Sequence, residues 1–196
     1  ALGALACVAA PCRAQELVPP PAPTALEPTF HLEVYGAAIL PLEHQNVCPS
    51  GFGCVLGAGF GAGALVERRW ADGVGLVVGY QVWLLDSGGL YEVGAVHALR
   101  LGVRWVMDAR TRAHPFLEVM GGALVFTDPL EARTGGGLVS AGGGVEVELT
   151  ETVGVTIGLD LWALAMGEFQ TRDGARRAAD FGVNVLTQLR VGLAVV

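Results

Sequence analysis

Hydrophobic positions alternate with small or polar positions in eight separate stretches between Phe30 and Val196. In each stretch one set of alternate residues is mainly aliphatic, whereas the other set is glycine, small or charged. Because successive side chains of a β-strand point to opposite faces of a sheet, this pattern predicts strands with two unlike faces. The predicted strands are residues 30–40, 54–68, 74–84, 93–106, 115–127, 137–149, 153–165 and 181–195.

Longer and shorter segments mostly alternate between the predicted strands. We predict short turns at 69–73, 107–114 and 150–152, and longer loops at 41–53, 85–92, 128–136 and 166–180. An even number of amphipathic strands, with short turns at one end and longer loops at the other, is typical of a transmembrane β-barrel. The predicted fold is therefore all-β, with residues 30–196 forming an eight-stranded antiparallel up-and-down transmembrane barrel.

Two of the predicted strands define the two faces. The last strand shows the alternation most clearly. Its aliphatic face contains Phe181, Val183, Val185, Leu189, Val191, Leu193 and Val195, and its other face Gly182, Asn184, Gln188, Arg190 and Gly192. In the second strand, glycines at 57, 59, 61 and 63 share the face that we assign to the interior, where they leave room for large neighbours such as Trp83. Trp70, Trp105 and Tyr80 fall toward strand ends, as an interfacial aromatic girdle requires.

Composition favours the membrane over a soluble barrel. A soluble eight-stranded barrel of the lipocalin kind, with its apolar face inside, has the same alternation. However, only 16% of the residues are charged, against about 25% in a typical soluble domain. The chain contains no apolar run of about 18 residues, which excludes a spanning helix. A net charge of −7 with no basic stripe argues against a nucleic-acid partner.

The first 29 residues are predicted to lie outside the barrel. Residues 1–14 are apolar and end in Cys12-Arg13-Ala14, which is typical of the remnant of a secretory signal peptide. A short buried helix and a lipid anchor at Cys7 are the alternatives. Residues 15–29 are rich in proline and predict an extended periplasmic lead to the barrel.

Two cysteines remain after the predicted signal. Cys48 and Cys54 flank a short segment of the first long loop, and we predict that they form a disulfide in an oxidising compartment. The alternatives are two free thiols or half of a metal site. His44 lies close by, but one histidine and two cysteines supply only three ligands, so no metal and no cofactor is predicted.

Charged residues on the inner face predict an ion-pair network in the lumen. Its predicted members are Glu33, Arg100, Arg104, Glu118, Glu146, Glu148, Asp160 and Arg190. Counting outward from the predicted turns and loops places Arg104 beside Glu118 and Glu146 beside Glu118. Arg100 and Arg190 are available at similar heights, and Arg190 can also approach Glu33. The alternative is a set of solvated charges that line a water-filled pore.

The architecture of residues 30–196 resembles the OmpA-like family of small outer-membrane barrels of Gram-negative bacteria. The resemblance implies a location in the bacterial outer membrane, both termini in the periplasm and the longer loops outside the cell. It also implies two partners, the outer-membrane lipid and the outer-membrane insertion machinery. Family members usually end in an aromatic residue, whereas this chain ends in Leu193-Ala194-Val195-Val196.

A few barrels of this kind modify lipid with serine and histidine residues, so we looked for such a pair. A nucleophilic serine needs a base within hydrogen-bonding distance. The serines after the signal are Ser50, Ser87 and Ser140, and the histidines are His31, His44, His97 and His114. Only Ser50 and His44 share a loop, and their spacing is not that of a hydrolase. We therefore predict that the protein is not an enzyme.

Two function classes remain. The first is a structural or surface-interaction protein with a lumen filled by side chains, which could bind a surface ligand through its loops. The second is a narrow pore or a barrel that holds a small ligand, because eight strands enclose just enough space for side chains or one small molecule. A lipid-modifying enzyme is a more distant third.

Overall fold

The computed structural model describes residues 29–43, 47–48, 50–90, 94–107, 111–128, 131–171, 173–178 and 182–196. The predicted signal remnant and residues 15–28 of the predicted proline-rich lead therefore lie outside the described residues. None of the described residues forms a helix that is long and apolar enough to cross a membrane.

The described residues form ten β-strands. They are β1 (Thr29–Glu43), β2 (Gly59–Arg69), β3 (Val74–Leu85), β4 (Gly94–Val106), β5 (Ala113–Asp128), β6 (Glu131–Glu148), β7 (Val153–Met166), β8 (Phe169–Gln170), β9 (Arg176–Arg177) and β10 (Val183–Val195). β1–β7 and β10 form a closed barrel in which each strand pairs antiparallel with its neighbours, and β10 pairs with β1. The predicted eight-stranded up-and-down barrel is thus confirmed. β8 and β9 form a small separate hairpin.

The barrel has two distinct ends. The β2–β3, β4–β5 and β6–β7 connections lie at one end, which we call the turn end. The β1–β2, β3–β4, β5–β6 and β7–β10 connections lie at the other, which we call the loop end. Thr29 of β1 and Val195 of β10 both lie at the turn end.

Two predicted boundaries were wrong. The predicted loop at 128–136 is a tight connection, because β5 and β6 stay paired up to Asp128 and Glu131 beyond a bulge at Phe126 and Thr127. The second strand begins at Gly59 instead of residue 54, because Cys54 is tied to Cys48 by the disulfide in the β1–β2 connection.

Burial alternates along the barrel strands in the inverse sense of a soluble barrel. In β7, Ile157, Leu159 and Leu161 are exposed on the outside, whereas Asp160 and Trp162 are buried in the lumen. Most of the exposed large hydrophobic residues face outward in the same way. A continuous apolar exterior of this kind requires lipid around it.

Aromatic residues mark the turn end of the exterior. Phe30, Trp70 and Trp105 are exposed there, and the Arg68 guanidinium lies 6.0 Å from the centroid of Phe30 and 5.9 Å from that of Trp70. Such aromatic and basic residues suit the boundary between hydrocarbon and headgroups. Tyr80 does not lie at a strand end as predicted. It lies in the middle of β3, with its hydroxyl 2.8 Å from Nδ1 of His97 on the lipid-facing surface.

Tryptophan fluorescence tests which face contacts lipid. Trp83 and Trp162 are fully buried in the lumen, whereas Trp70 and Trp105 are exposed. We expect brominated lipids to quench the variant that keeps only the exterior pair, Trp83→Phe/Trp162→Phe. The Trp70→Phe/Trp105→Phe variant should be quenched weakly, and equal quenching of both variants would contradict the assignment of the two faces.

Candidate functional site: the barrel lumen and its cap

A cluster of buried charges fills the lumen toward the turn end. Arg104 of β4 and Glu118 of β5 are directly opposite in the β4–β5 register. Nε and Nη2 of Arg104 donate to Oε2 of Glu118 at 3.0 and 2.8 Å. Nη2 of Arg190 reaches the same oxygen at 2.8 Å from β10. The Glu118 carboxylate therefore joins two arginines that come from opposite sides of the barrel.

Glu33 ties these two arginines to the β1–β10 seam. Its Oε2 lies 2.9 Å from Nη1 of Arg104, and its Oε1 lies 3.8 Å from Nε of Arg190. Thr156 of β7 donates its hydroxyl to Oε1 of Glu33 at 2.9 Å. Asp160 completes this group, with Oδ2 3.7 Å from Nη1 of Arg190. The structure thus brings together Glu33, Arg104, Glu118, Asp160 and Arg190 from the predicted set.

Two members of this cluster were missing from the prediction. Glu67 of β2 accepts from Nε of Arg69 at 2.7 Å and lies 3.3 Å from Nη1 of Arg104. Arg69 also bridges to Glu146 of β6 at 2.9 Å. The alternation of the second strand could have identified both residues. Glu67 and Arg69 lie on the same face as its glycines, and we assigned that face to the interior. We call Glu33, Glu67, Arg69, Arg104, Glu118, Glu146, Asp160 and Arg190 the ion-pair network.

Two predicted placements in β6 were wrong. Glu146 does not lie beside Glu118, because it pairs in register with His114 while Glu118 pairs with Gly142. The β5–β6 connection is centred nearer the start of the predicted loop, so every residue of β5 pairs with an earlier residue of β6 than the one predicted. Glu148 is outside the network: its side chain is 56% exposed at the turn end, and it lies 3.3 Å from Nε2 of His114.

A layer of hydrogen-bonded and aromatic side chains crosses the lumen above the network. Tyr35 donates to Gln81 at 2.6 Å, and Gln81 donates to Gln188 at 2.5 Å. Arg100 donates to the Tyr35 hydroxyl at 2.7 Å, and its guanidinium lies 4.5 Å from the ring centroid of Trp162. Arg100 was predicted to balance a carboxylate, but among the described residues it forms no ion pair.

The lumen becomes apolar toward the loop end. The Trp83 and Trp162 rings contact edge to face, with centroids 4.6 Å apart. They belong to a single buried apolar cluster that fills this part of the barrel. Its members include Ile39, Leu85, Val96, Ala98, Leu124, Phe126, Leu138, Leu164, Met166 and Leu186. Side chains therefore occupy the lumen from the charged turn end to the apolar loop end.

Residues of two connections close the loop end. Val47, Val55 and Leu56 of the β1–β2 connection are fully buried, and they belong to the same apolar cluster as Phe169 and Ala178 of the β7–β10 connection. We call the described residues 47–48, 50–56, 169–171 and 173–178 the cap. Cys48 and Cys54 are joined by a disulfide within it.

Arg177 of β9 is buried inside the cap. It donates to two carbonyl oxygens of the β1–β2 connection, and its Nη2 donates to Oδ2 of Asp173 at 2.9 Å. The Thr171 hydroxyl donates to Asp173, and this bond, with the nearby Arg177 charge, holds the pKa of Asp173 below its ordinary value. Asp173 therefore stays ionised and keeps its pairing with Arg177 at neutral pH.

The described histidines have partners other than a serine nucleophile. His31 contacts the Thr29 hydroxyl at 2.9 Å, His97 contacts Tyr80, and His114 contacts Glu148. His44, and with it the Ser50–His44 pair weighed in the sequence, lies outside the described residues. Within the described ranges, no three histidine, cysteine or acidic side chains are grouped as a metal site requires.

No protein-family model and no curated protein sequence matches this chain. Solved structures match it by fold. Neisserial surface protein A matches with a TM-score of 0.63 and 12% identity, over 85% of this chain and 96% of that one. OprG from Pseudomonas aeruginosa matches with a TM-score of 0.54 and 11% identity, over 85% and 94%. The outer membrane protein AlkL matches with a TM-score of 0.54 and 8% identity, over 90% and 93%.

At these identities the likeness is one of fold, and it agrees with the apolar exterior and the polar, filled interior of this barrel. A closed barrel leaves no unpaired strand edge, which is what allows β-strands to span a bilayer. The chain has the fold of the small eight-stranded outer-membrane β-barrels.

Proposed function

We propose that the protein is a closed, non-enzymatic outer-membrane barrel with a structural or surface-interaction role. The observation that carries this proposal is the continuous filling of the lumen by side chains. The ion-pair network fills the turn end, the Tyr35–Gln81–Gln188 layer crosses the middle, and the apolar cluster fills the loop end. The loops are then the part of the protein that meets other molecules.

Burial of the charges supports a filled lumen over a water-filled pore. In a pore, charged side chains extend into water, whereas the side chains of Arg104, Glu118 and Arg190 are 2% exposed or less. The guanidinium groups of Arg104 and Arg190 also lie on an aromatic ring, 4.7 and 5.4 Å from the centroid of Phe116. Charges without water require partners, and each of these side chains has one.

The fold type supports a proposal for the orientation and the partners of the barrel. We propose that the turn end faces the periplasm and the loop end faces outward, as in barrels with short periplasmic turns. Outer-membrane lipid would cover the apolar exterior, and the insertion machinery would act during assembly. A surface ligand would meet the loop end, where the cap is the largest folded feature among the described residues.

Recording in planar bilayers tests the closed lumen directly. We expect little or no steady conductance from the wild-type protein, because the ion-pair network, the Tyr35–Gln81–Gln188 layer and the apolar cluster together fill the barrel. A stable, open channel in the wild type would overturn the proposal and favour a narrow pore.

The Glu118→Ala variant tests whether the ion-pair network holds the barrel together. The substitution leaves Arg104 and Arg190 without their shared carboxylate, and breaking a buried pair in this way costs about 3–5 kcal/mol. We expect this loss in the free energy of unfolding, measured with denaturant in lipid vesicles, together with increased leak current. Glu148→Ala is the control, because its exposed pairing with His114 contributes at most about 1 kcal/mol. Equal stability of the two variants would show that the network does not hold the barrel closed.

A further inference from the structure

The cap closes the loop end with side chains from connections that are far apart in sequence. Val47, Val55 and Leu56 come from the β1–β2 connection, whereas Phe169 and Ala178 come from the β7–β10 connection. All of them pack into the apolar cluster that fills the barrel below. Hydrophobic packing alone is non-directional, so it does not fix how the two connections meet.

Arg177 supplies the directional contact between the two connections. Its guanidinium is fully buried, and Nη1 donates to the carbonyl oxygens of Val47 at 2.6 Å and Gly53 at 2.7 Å. Its other nitrogens bond within its own connection, to Thr171 at 2.8 Å and Asp173 at 2.9 Å. A single cation therefore joins the two halves of the cap through charge-assisted hydrogen bonds.

The two carbonyl groups that Arg177 binds are positioned by the disulfide. Val47 directly precedes Cys48, and Gly53 directly precedes Cys54. The disulfide holds the Cα atoms of the two cysteines 4.3 Å apart, so it also holds the two preceding carbonyl groups together. The disulfide is thus the covalent tie between two acceptors that a single nitrogen, Nη1 of Arg177, binds.

The geometry points to a redox-dependent latch at the loop end: the Cys48–Cys54 disulfide forms the acceptor pair for Arg177, and Arg177 holds the cap shut. An external dithiol that reduces the disulfide to two thiols, and is itself oxidised to a disulfide, releases the latch. The apolar cluster below the cap is then exposed to solutes from the loop end. This inference concerns the loop end alone and does not depend on the ion-pair network.

A buried reporter cysteine measures the opening of the cap. Met166 ends β7 at the loop end and is buried in the apolar cluster next to the cap, so the Met166→Cys variant presents a thiol that the cap shields from reagents. The measurement is the rate at which a small water-soluble maleimide labels this thiol in the folded barrel, in detergent micelles. The ion-pair network is the same in every variant, so differences in rate report the loop end.

We expect Arg177→Ala, added to the reporter variant, to raise the labelling rate about tenfold or more, because it removes several buried hydrogen bonds to a charged group. Arg176→Ala is the matched control. Arg176 is the preceding residue, with a side chain that is 78% exposed and 3.5 Å from Glu168, so its removal should leave the rate unchanged. A labelling rate in Arg177→Ala no higher than in Arg176→Ala would overturn the latch.

The role of the disulfide is tested by Cys48→Ala/Cys54→Ala in the same reporter background. We expect faster labelling here too, with no further increase when Arg177→Ala is added, because the two changes break one contact. An unchanged rate would show that closure does not depend on the disulfide. Arg177→Lys keeps the charge but loses the guanidinium fork, so it provides a milder test if Arg177→Ala does not fold. Heat-modifiable migration in gels checks folding, and bilayer recording of the wild type tests the closed-barrel proposal separately.

Discussion

The pairing of β10 with β1 is the constraint on which the rest of the structure depends. The two strands pair from Leu32 and Val195 at the turn end to Glu43 and Val185 at the loop end, so the sheet has no free edge. In a bilayer, every backbone donor and acceptor must be paired within the protein, and closure is the only way for strands to achieve this. Once the sheet is closed, alternation leaves each side chain a single choice between lipid and lumen. The charged side chains that cannot face lipid therefore lie close together in the lumen, where they form the ion-pair network.

Register then decides which charges meet. Arg104 meets Glu118 because the β4–β5 connection places them directly opposite, and Arg190 reaches the same carboxylate from across the lumen. Desolvating these groups is costly, and the ion pairs and hydrogen bonds that each of these side chains forms offset that cost. Toward the loop end, tryptophan and aliphatic side chains fill most of the lumen, and the buried Asp128 there lies 3.5 Å from Nη2 of Arg133. The lumen thus combines a polar lower half with an upper half that resembles the core of a soluble protein.

The sequence predicts the inside and the outside of the barrel well, because that choice depends only on parity along a strand. It predicts less well which residues of adjacent strands lie opposite each other, because this depends on the position of the turn in each connection. Glu146 was placed beside Glu118 from a loop at 128–136, whereas the strands pair up to Asp128 and Glu131. Of the cap, the sequence predicts the Cys48–Cys54 disulfide but not the contact between the two connections. The contact of Arg177 with Val47 joins residues 130 positions apart, and neither connection has a periodic pattern. Glu67 is the opposite case, since its parity already assigned it to the lumen.

The glycines of the inner face explain how large side chains fit into the narrow lumen of an eight-stranded barrel. A Cβ at position 158 would lie 2.8 Å from Nε of Arg190, and one at position 61 would lie 2.7 Å from the Trp83 ring. The same holds beside Glu67 and Tyr35, where Gly75 and Gly63 provide the space. Each of these four large inward side chains thus lies over a glycine of a neighbouring strand. The interior of an eight-stranded barrel is only wide enough for its side chains to fill. Arginine and tryptophan side chains can pack there because the neighbouring glycines have no side chain of their own. At these positions the glycine-rich face indicates a filled lumen, because neighbouring side chains already occupy the space that the glycines leave.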